Sequence, residues 1–196
     1  LKKSHNLYAE IMTRLIDPAQ NQKSLDGARK IFATLLEKAG VSRQEWRIED
    51  GSGLSRYNLL SADALTKVSV YAYNQPYGKD LYQMLPIAGV DGTLANRMKT
   101  GLAKGNVHAK TGSMSTMRNI SGYVTSQDRQ LLAVSIFING YVGSSSDMIR
   151  LQDQILEILA SGNIEQEIQY QQKVTQKVKQ RLAKRWFEHF FTSDIP

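Results

Sequence analysis

Cysteine is absent from this chain of 196 residues, which excludes disulfides and thiolate metal sites and leaves the redox compartment open. Such a composition suits the cell envelope without requiring it. Histidine is nearly as scarce: His5, His108 and His189 show neither ligand spacing nor clustered acids, so no metal is expected. The longest apolar run, Leu131 to Val134 and Ile136 to Ile138 across one Ser, falls far short of the ~20 residues that span a bilayer. No strand-to-helix glycine pattern for phosphate is present, so no nucleotide cofactor is expected either. Internal repeats and low-complexity tracts are missing as well. Acids are outnumbered, 18 against 25 Lys and Arg, and the net charge of +7 favours polyanions. No DNA- or RNA-binding motif accompanies that charge, so nucleic acid is not expected as a partner.

With 41% apolar and 22% charged residues, the remainder reads as one ordinary globular domain. Leu7, Tyr8, Ile11, Met12 and Leu15 recur at helical spacing up to the Asp17-Pro18 stop, placing Ser4-His5-Asn6 at a helix entrance. A second helix is expected from Ser24 as N-cap to Ala39, with Gly40 as a left-handed terminus. Trp46 and Ile48 alternate as in a short strand, Asp50 to Gly53 is turn chemistry, and Ser61 caps a third helix through Ala72. Residues 86 to 105 read as loops with one short helix. The period then changes to strands: Val107 and Ala109, then Ile120 to Val124, a turn at Gln127-Asp128-Arg129, and Leu131 to Ile138. The last run is apolar enough to be covered on both faces, one of them by a helix from Asp147 to about Leu159.

Lys-Thr-Gly occurs at Lys99 and again at Lys110, and Ser-x-Asn occurs at Ser4 and at Ser161. Context separates the copies, because a Lys-Thr-Gly that binds an extended peptide should lie on an edge strand. Lys110 follows the alternating Val107 to Ala109; Lys99 follows Leu94 and Met98 at helical spacing and leads into a glycine-bounded loop. Ser161-Gly162-Asn163 reads as a helix terminus. Taken singly, Ser4 and Asn6 would be helix caps, and Lys110 a charge that protects a sheet edge.

The ordered series of Ser4-His5-Asn6, Asp50-Gly51-Ser52-Gly53-Leu54-Ser55-Arg56, the string from Leu85 to Leu94 (LPIAGVDGTL) and His108-Ala109-Lys110-Thr111-Gly112-Ser113 resembles the class C low-molecular-mass penicillin-binding proteins. The likeness runs from residue 4 to about residue 160. It implies a serine-type D-Ala-D-Ala carboxypeptidase or endopeptidase that acts on peptidoglycan stem peptides through an acyl-enzyme and binds β-lactams outside the cytoplasm, in the periplasm or its equivalent. It also implies an α+β, penicillin-binding transpeptidase or serine β-lactamase-like fold. An antiparallel sheet from roughly residues 106 to 139, covered by the helix near 147 to 160, would lie beside a helical region from 4 to 84.

By the same resemblance, the Ser4 hydroxyl would carry a proton to the departing D-Ala amine, and the Asn6 amide would hold the peptide carbonyl. Lys110 would supply positive charge at the carboxylate and oxyanion, Thr111 and Ser113 would bind the terminal carboxylate, and Ser113 N–H would face the oxyanion. Gly112 would let the peptide approach the strand, and Arg56 would meet a stem-peptide carboxylate. The family's nucleophile and base come as Ser-x-x-Lys, yet no Ser or Thr here is followed three residues later by Lys. The chain also opens on Leu, with no leader before the first helix. The expectation is therefore the C-terminal part of such a protein, inactive alone, with apolar surface that favours self-association. A β-lactamase is the rival enzyme; a catalytically silent module that binds wall peptide or a partner protein is the rival of another class.

Residues 1–162 are expected to form that domain and residues 163–196 a separate amphipathic helix. Six Lys or Arg stand between Lys173 and Arg185 without one acid, followed by Trp186, Phe187, Phe190 and Phe191. This composition suits contact with an anionic membrane surface, and a partner-binding helix is a further reading, while a helix packed on its own domain or solvated is the commoner outcome.

Overall fold

A computed structural model describes residues 1–17 and 24–163, and beyond them only residues 169, 173, 176, 177, 179 and 180. The expected tail helix over 163–196, those positions apart, lies outside the described residues, as does Pro18. No helix among the described residues is long and apolar enough to cross a membrane.

The first half of the chain is helical. Helix α1 (Asn6–Leu15) begins at His5, which makes no side-chain capping bond, so neither Ser4 nor Asn6 acts as the cap that its residue type favours. Its Leu7, Tyr8, Met12 and Leu15 are exposed, and Thr13 faces inward onto the turn at Gly51. Helix α2 (Asp26–Lys38) starts one residue beyond expectation: Leu25 is the N-cap, and the Ser24 hydroxyl accepts from Asp26 N at 3.1 Å. Gly40 takes the left-handed conformation (φ +75°) that ends it.

A two-residue strand, β1 (Trp46–Arg47), pairs antiparallel with β2 (Leu59–Leu60). The loop between them is organised by Asp50, whose carboxylate accepts from Gly53 N, Ser55 N and Asn58 Nδ2. Ser61 caps α3 (Ala62–Tyr73), accepting from Ala64 N at 2.9 Å. Leu36, Val41, Trp46 and Ala64 form the small core of this half. Helix α4 (Gly78–Met84) packs on α3 and was not legible from periodicity, being two turns long between Pro76 and Pro86.

The second half is a meander of β3 (His108–Met114), β4 (Met117–Thr125) and β5 (Leu131–Asn139), in the order β3-β4-β5. The register pairs Ala109 with Gly122, Thr111 with Ile120 and Ser113 with Arg118. Because facing residues of an antiparallel pair share a side, these residues look toward α5 (Ser145–Ser161), and His108, Lys110 and Gly112 look the other way. The α5 side is the main core: Leu94, Val107, Ala109, Ile120, Val124, Leu156 and Ala160 are all fully buried. Each large aliphatic side chain there stabilises by roughly 1.5–3 kcal/mol. On the opposite side Tyr73, Tyr82, Tyr123 and His108 make a ring cluster, and Tyr123 Oη donates to Ser69 O at 2.7 Å. Helix α3 packs against β5 there, while α5 packs chiefly on β4; Leu132, Val134 and Ile136 of β5 only border the main core, so the expected cover on both faces is incomplete and β5 is half-buried.

Both outer strands keep open edges among the described residues. Strand β3 is bridged only at its start, by Ile87 to His108 and by Ala109 N to Pro86 O, leaving the edge from Lys110 onward unpaired. The other Lys-Thr-Gly lies in a loop, not after a helix: the only helical turn nearby is the 3-10 turn Gly92–Leu94. Glu157 of α5 binds Leu102 N and Ala103 N and fixes that loop against the core. Ser161 and Gly162 end α5, with Gly162 as its left-handed cap (φ 72°).

Candidate active site

The candidate site lies where residues 1–5 cross the start of the β3 edge. Lys2 Nζ pairs with Asp91 at 2.7 Å, and the same carboxylate accepts from Ile87 N at 2.8 Å. The Lys2 ammonium, followed by the Ile87 N–H, holds Asp91 below the usual carboxylate value. Gly92 is needed beside this clamp, since its φ is +57° and a Cβ there would stand 2.8 Å from Lys2 O. The arm then bends through Ser4, whose φ of 50° is uncommon for a residue with a side chain and costs about 1–2 kcal/mol. A bond from Ser4 N to Leu1 O (3.1 Å) holds the bend.

Through that bend the Ser4 hydroxyl meets Lys110, 106 positions later, whose Nζ donates to Ser4 Oγ at 2.6 Å. Lys110 Nζ also donates to Thr111 O, and among the described residues no carboxylate pairs with it. Burial holds the Lys110 ammonium below the ordinary lysine value, so a partly desolvated positive charge faces neutral oxygens. Next along the strand, Thr111 Oγ1 donates to Thr93 Oγ1 at 2.9 Å, tying β3 to the Leu85–Leu94 string. Gly112 and Ser113 are exposed. His108, stacked on Tyr82 with centroids 4.0 Å apart, is held by burial below its ordinary value.

Gly112 has no reason of its own within the chain to be glycine. A Cβ built there meets only Asn119 Cβ at 3.9 Å, ordinary van der Waals contact, and its φ is not left-handed. Gly112→Ala is therefore expected to change unfolding free energy in urea by less than about 0.5 kcal/mol. A larger loss would mean that the fold itself demands this glycine.

Two cavities flank the strand. One, of about 390 Å³, lies between the Lys110 face and α3, with Leu65, Val68, Leu85 and Phe137 in its wall. The other, of about 350 Å³, opens on the α5 side and is lined by Ser4, Thr93, Thr111, Ser113 and Arg118, among others. Asn6 is exposed on the first turn of α1, and its side chain has no hydrogen-bond partner among the described residues. Arg56 is exposed beyond the Asp50 turn and lines neither cavity. Of the residues singled out in the sequence, the fold thus joins Ser4 to Lys110, Thr111 and Ser113, and places Asn6 and Arg56 away from that contact. Lys2, Asp91, Thr93 and Arg118 were given no role from sequence; only the Leu85–Leu94 string marked two of them. Among the described residues no group of three or more His, Asp or Glu side chains is placed to hold a metal.

A profile of the D-Ala-D-Ala carboxypeptidase 3 (S13) family matches residues 1–161. The chain belongs to that family. Its relatives include a D-alanyl-D-alanine carboxypeptidase of Actinomadura sp. strain R39, 36% identical over 82% of this chain and 30% of the relative. Another is the D-alanyl-D-alanine carboxypeptidase DacB of Haemophilus influenzae, 34% identical over 72% of this chain and 30% of the relative. The crystal structure of penicillin-binding protein 4 (DacB) from Haemophilus influenzae superposes with a TM-score of 0.72 at 28% identity, covering 81% of this chain and 38% of that one. This S13 chain therefore spans about 30% of the length of these curated relatives. It has the penicillin-binding fold in part: helices beside an antiparallel sheet.

Proposed function

We propose that this S13 chain supplies the substrate-binding and proton-transfer side of a serine-type D-Ala-D-Ala carboxypeptidase or endopeptidase acting on peptidoglycan stem peptides outside the cytoplasm. The observation that carries the reading is the hydrogen bond between Lys110 Nζ and Ser4 Oγ at the head of an unpaired strand edge. A peptide laid along that edge would pair with the β3 backbone beside Gly112, with its reacting carbonyl near Ser113 N–H and its terminal carboxylate near the Thr111 and Ser113 hydroxyls. An incoming serine Oγ bonds to the penultimate D-Ala carbonyl carbon, and the amide bond to the terminal D-Ala then breaks. The departing amine needs a proton, and the Ser4 hydroxyl, hydrogen-bonded to the Lys110 ammonium, is placed to pass one on. Asn6 and Arg56 enter this reading as contacts to the peptide carbonyl and to a stem-peptide carboxylate, which requires both side chains to turn toward the bound peptide.

The nucleophile comes from outside these residues, because no Ser-x-x-Lys occurs in the sequence. β-Lactams, as mimics of the dipeptide, are ligands of the assembled site; one solved relative, penicillin-binding protein 4 of Haemophilus influenzae, is in complex with a β-lactam. Residues 1–162 form the transpeptidase-like unit in this reading and 163–196 a separate segment, a division supported by the end of the family match at residue 161. The exposed apolar row on α1 supports self-association when the chain is alone.

Benzylpenicillin tests the proposal by intact mass. The chain by itself is expected to gain no adduct, and the natively expressed protein that contains it to gain one. A stoichiometric adduct on the chain alone would place the nucleophile within it. A native protein of this size without an adduct would favour the silent wall-peptide or partner-binding module, a reading for which the missing Ser-x-x-Lys also speaks.

A further inference from the structure

We propose that Arg118 and the cavity before it anchor the terminal carboxylate of the peptide, extending the row of Thr111 and Ser113; the inference rests on the peptide-binding reading above. The register is the first ground. Ser113 faces Arg118 directly, so Arg118 shares the α5-facing side of the sheet with Thr111 and Ser113, while Lys110 points to the other face. Ser4, which meets Lys110, lines the same 350 Å³ cavity as Arg118 and so joins the two charges across the edge.

Charge balance is the second ground. The neighbouring Arg97 is neutralised by Asp153, with contacts of 2.6 and 2.9 Å, and is a structural ion pair. Arg118 is bound only by neutral acceptors: Nε donates to Ser145 Oγ at 2.7 Å and Nη1 to Met114 O and Met117 O at 2.6 Å. No carboxylate pairs with it, and its Nη2 has no partner, among the described residues. Buried Gln152 holds the wall behind, donating to Arg118 O at 2.7 Å and accepting from Arg97 at 3.2 Å. A guanidinium fixed through Nε and Nη1, with the Nη2 hydrogens left to donate beside the Thr111 and Ser113 side chains, offers a carboxylate oxygen a charge-assisted hydrogen bond. Lys110 then serves the reacting carbonyl and Arg118 the chain end, which makes the site selective for a free C-terminus.

The test compares N-acetyl-D-Ala-D-Ala with its C-terminal amide by NMR titration of this chain. Wild type is expected to prefer the acid by tenfold or more, and Arg118→Gln to abolish the preference while leaving amide affinity unchanged. Arg118→Lys, which retains charge without a guanidinium held in place by Ser145, Met114 and Met117, is expected to keep part of it. An undiminished preference in Arg118→Gln overturns the inference, and equal loss of acid and amide binding shows a merely structural role and overturns it too. Sodium acetate, titrated against chloride at equal ionic strength, separates this result from the peptide reading. If wild type binds neither dipeptide, a saturable shift of the Arg118 Nε–H resonance with acetate sustains the carboxylate site, and no shift beyond that of chloride overturns it.

Discussion

In the protein that carries the nucleophile, Lys110→Ala is expected to slow acylation by benzylpenicillin by roughly 10²–10³-fold, measured by stopped-flow or timed quench. That is the usual cost of removing one preorganised group from the place where transition-state charge develops. Lys110 falls in the upper part of this range because its charge is partly desolvated and already held, by Ser4 Oγ and Thr111 O, where the proposed function puts the anion. The loss should appear in the rate constant more than in folding stability, since no acid is left unpaired by the substitution. Burial also lowers the Lys110 value, so the alkaline limb of the acylation profile is expected to fall before an exposed lysine would lose its proton. Acylation unchanged in Lys110→Ala would remove Lys110 from the site.

Gly122→Ala is expected to act on the fold, lowering unfolding free energy by about 3 kcal/mol or more in urea denaturation. A Cβ at residue 122 would stand 2.1 Å from His108 O and 2.5 Å from Ala109 Cα, both backbone atoms of the paired strand. Neither can yield without parting β3 from β4 at the start of the site. Against Gly112→Ala, three positions from it across the ladder, the pair separates a glycine that the sheet needs from one that it does not. A Gly122→Ala protein as stable as wild type would mean that the two strands are not in this register.

Strand periods and turn chemistry made the meander, α3 and the cover helix α5 legible, because each buries a regular stripe or starts on a residue with a defined cap; α1 was legible from its apolar period alone. Helix α4 was hidden: seven residues between prolines give too few turns for a period to emerge. The cap at α2 slipped by one residue, since a Ser that bonds a backbone N–H can stand either at the cap or just before it. At the site, motif order marked Ser4 and Lys110, but not that a left-handed Ser4 would forgo capping to meet a lysine. The Lys2–Asp91 clamp and the Ser113–Arg118 pair depend on long separation and on register, and neither is written in local pattern. The row of apolar residues on α1 read as a core stripe by period, yet it lies open to solvent among the described residues.

The clamp also has a kinetic meaning. The meander closes through short turns, whereas Lys2 to Asp91 and Ser4 to Lys110 span 89 and 106 positions, the larger entropic cost of closure. Sheet and cover helix can therefore form before residues 1–5 dock, and those residues can lift away while the sheet stays folded. Under the proposed function only the docked fraction is competent to bind, so the measured affinity would be the intrinsic affinity scaled by that fraction. A ligand that touches both Ser4 and β3 fastens the arm down as it binds, and the site becomes most ordered when it is occupied.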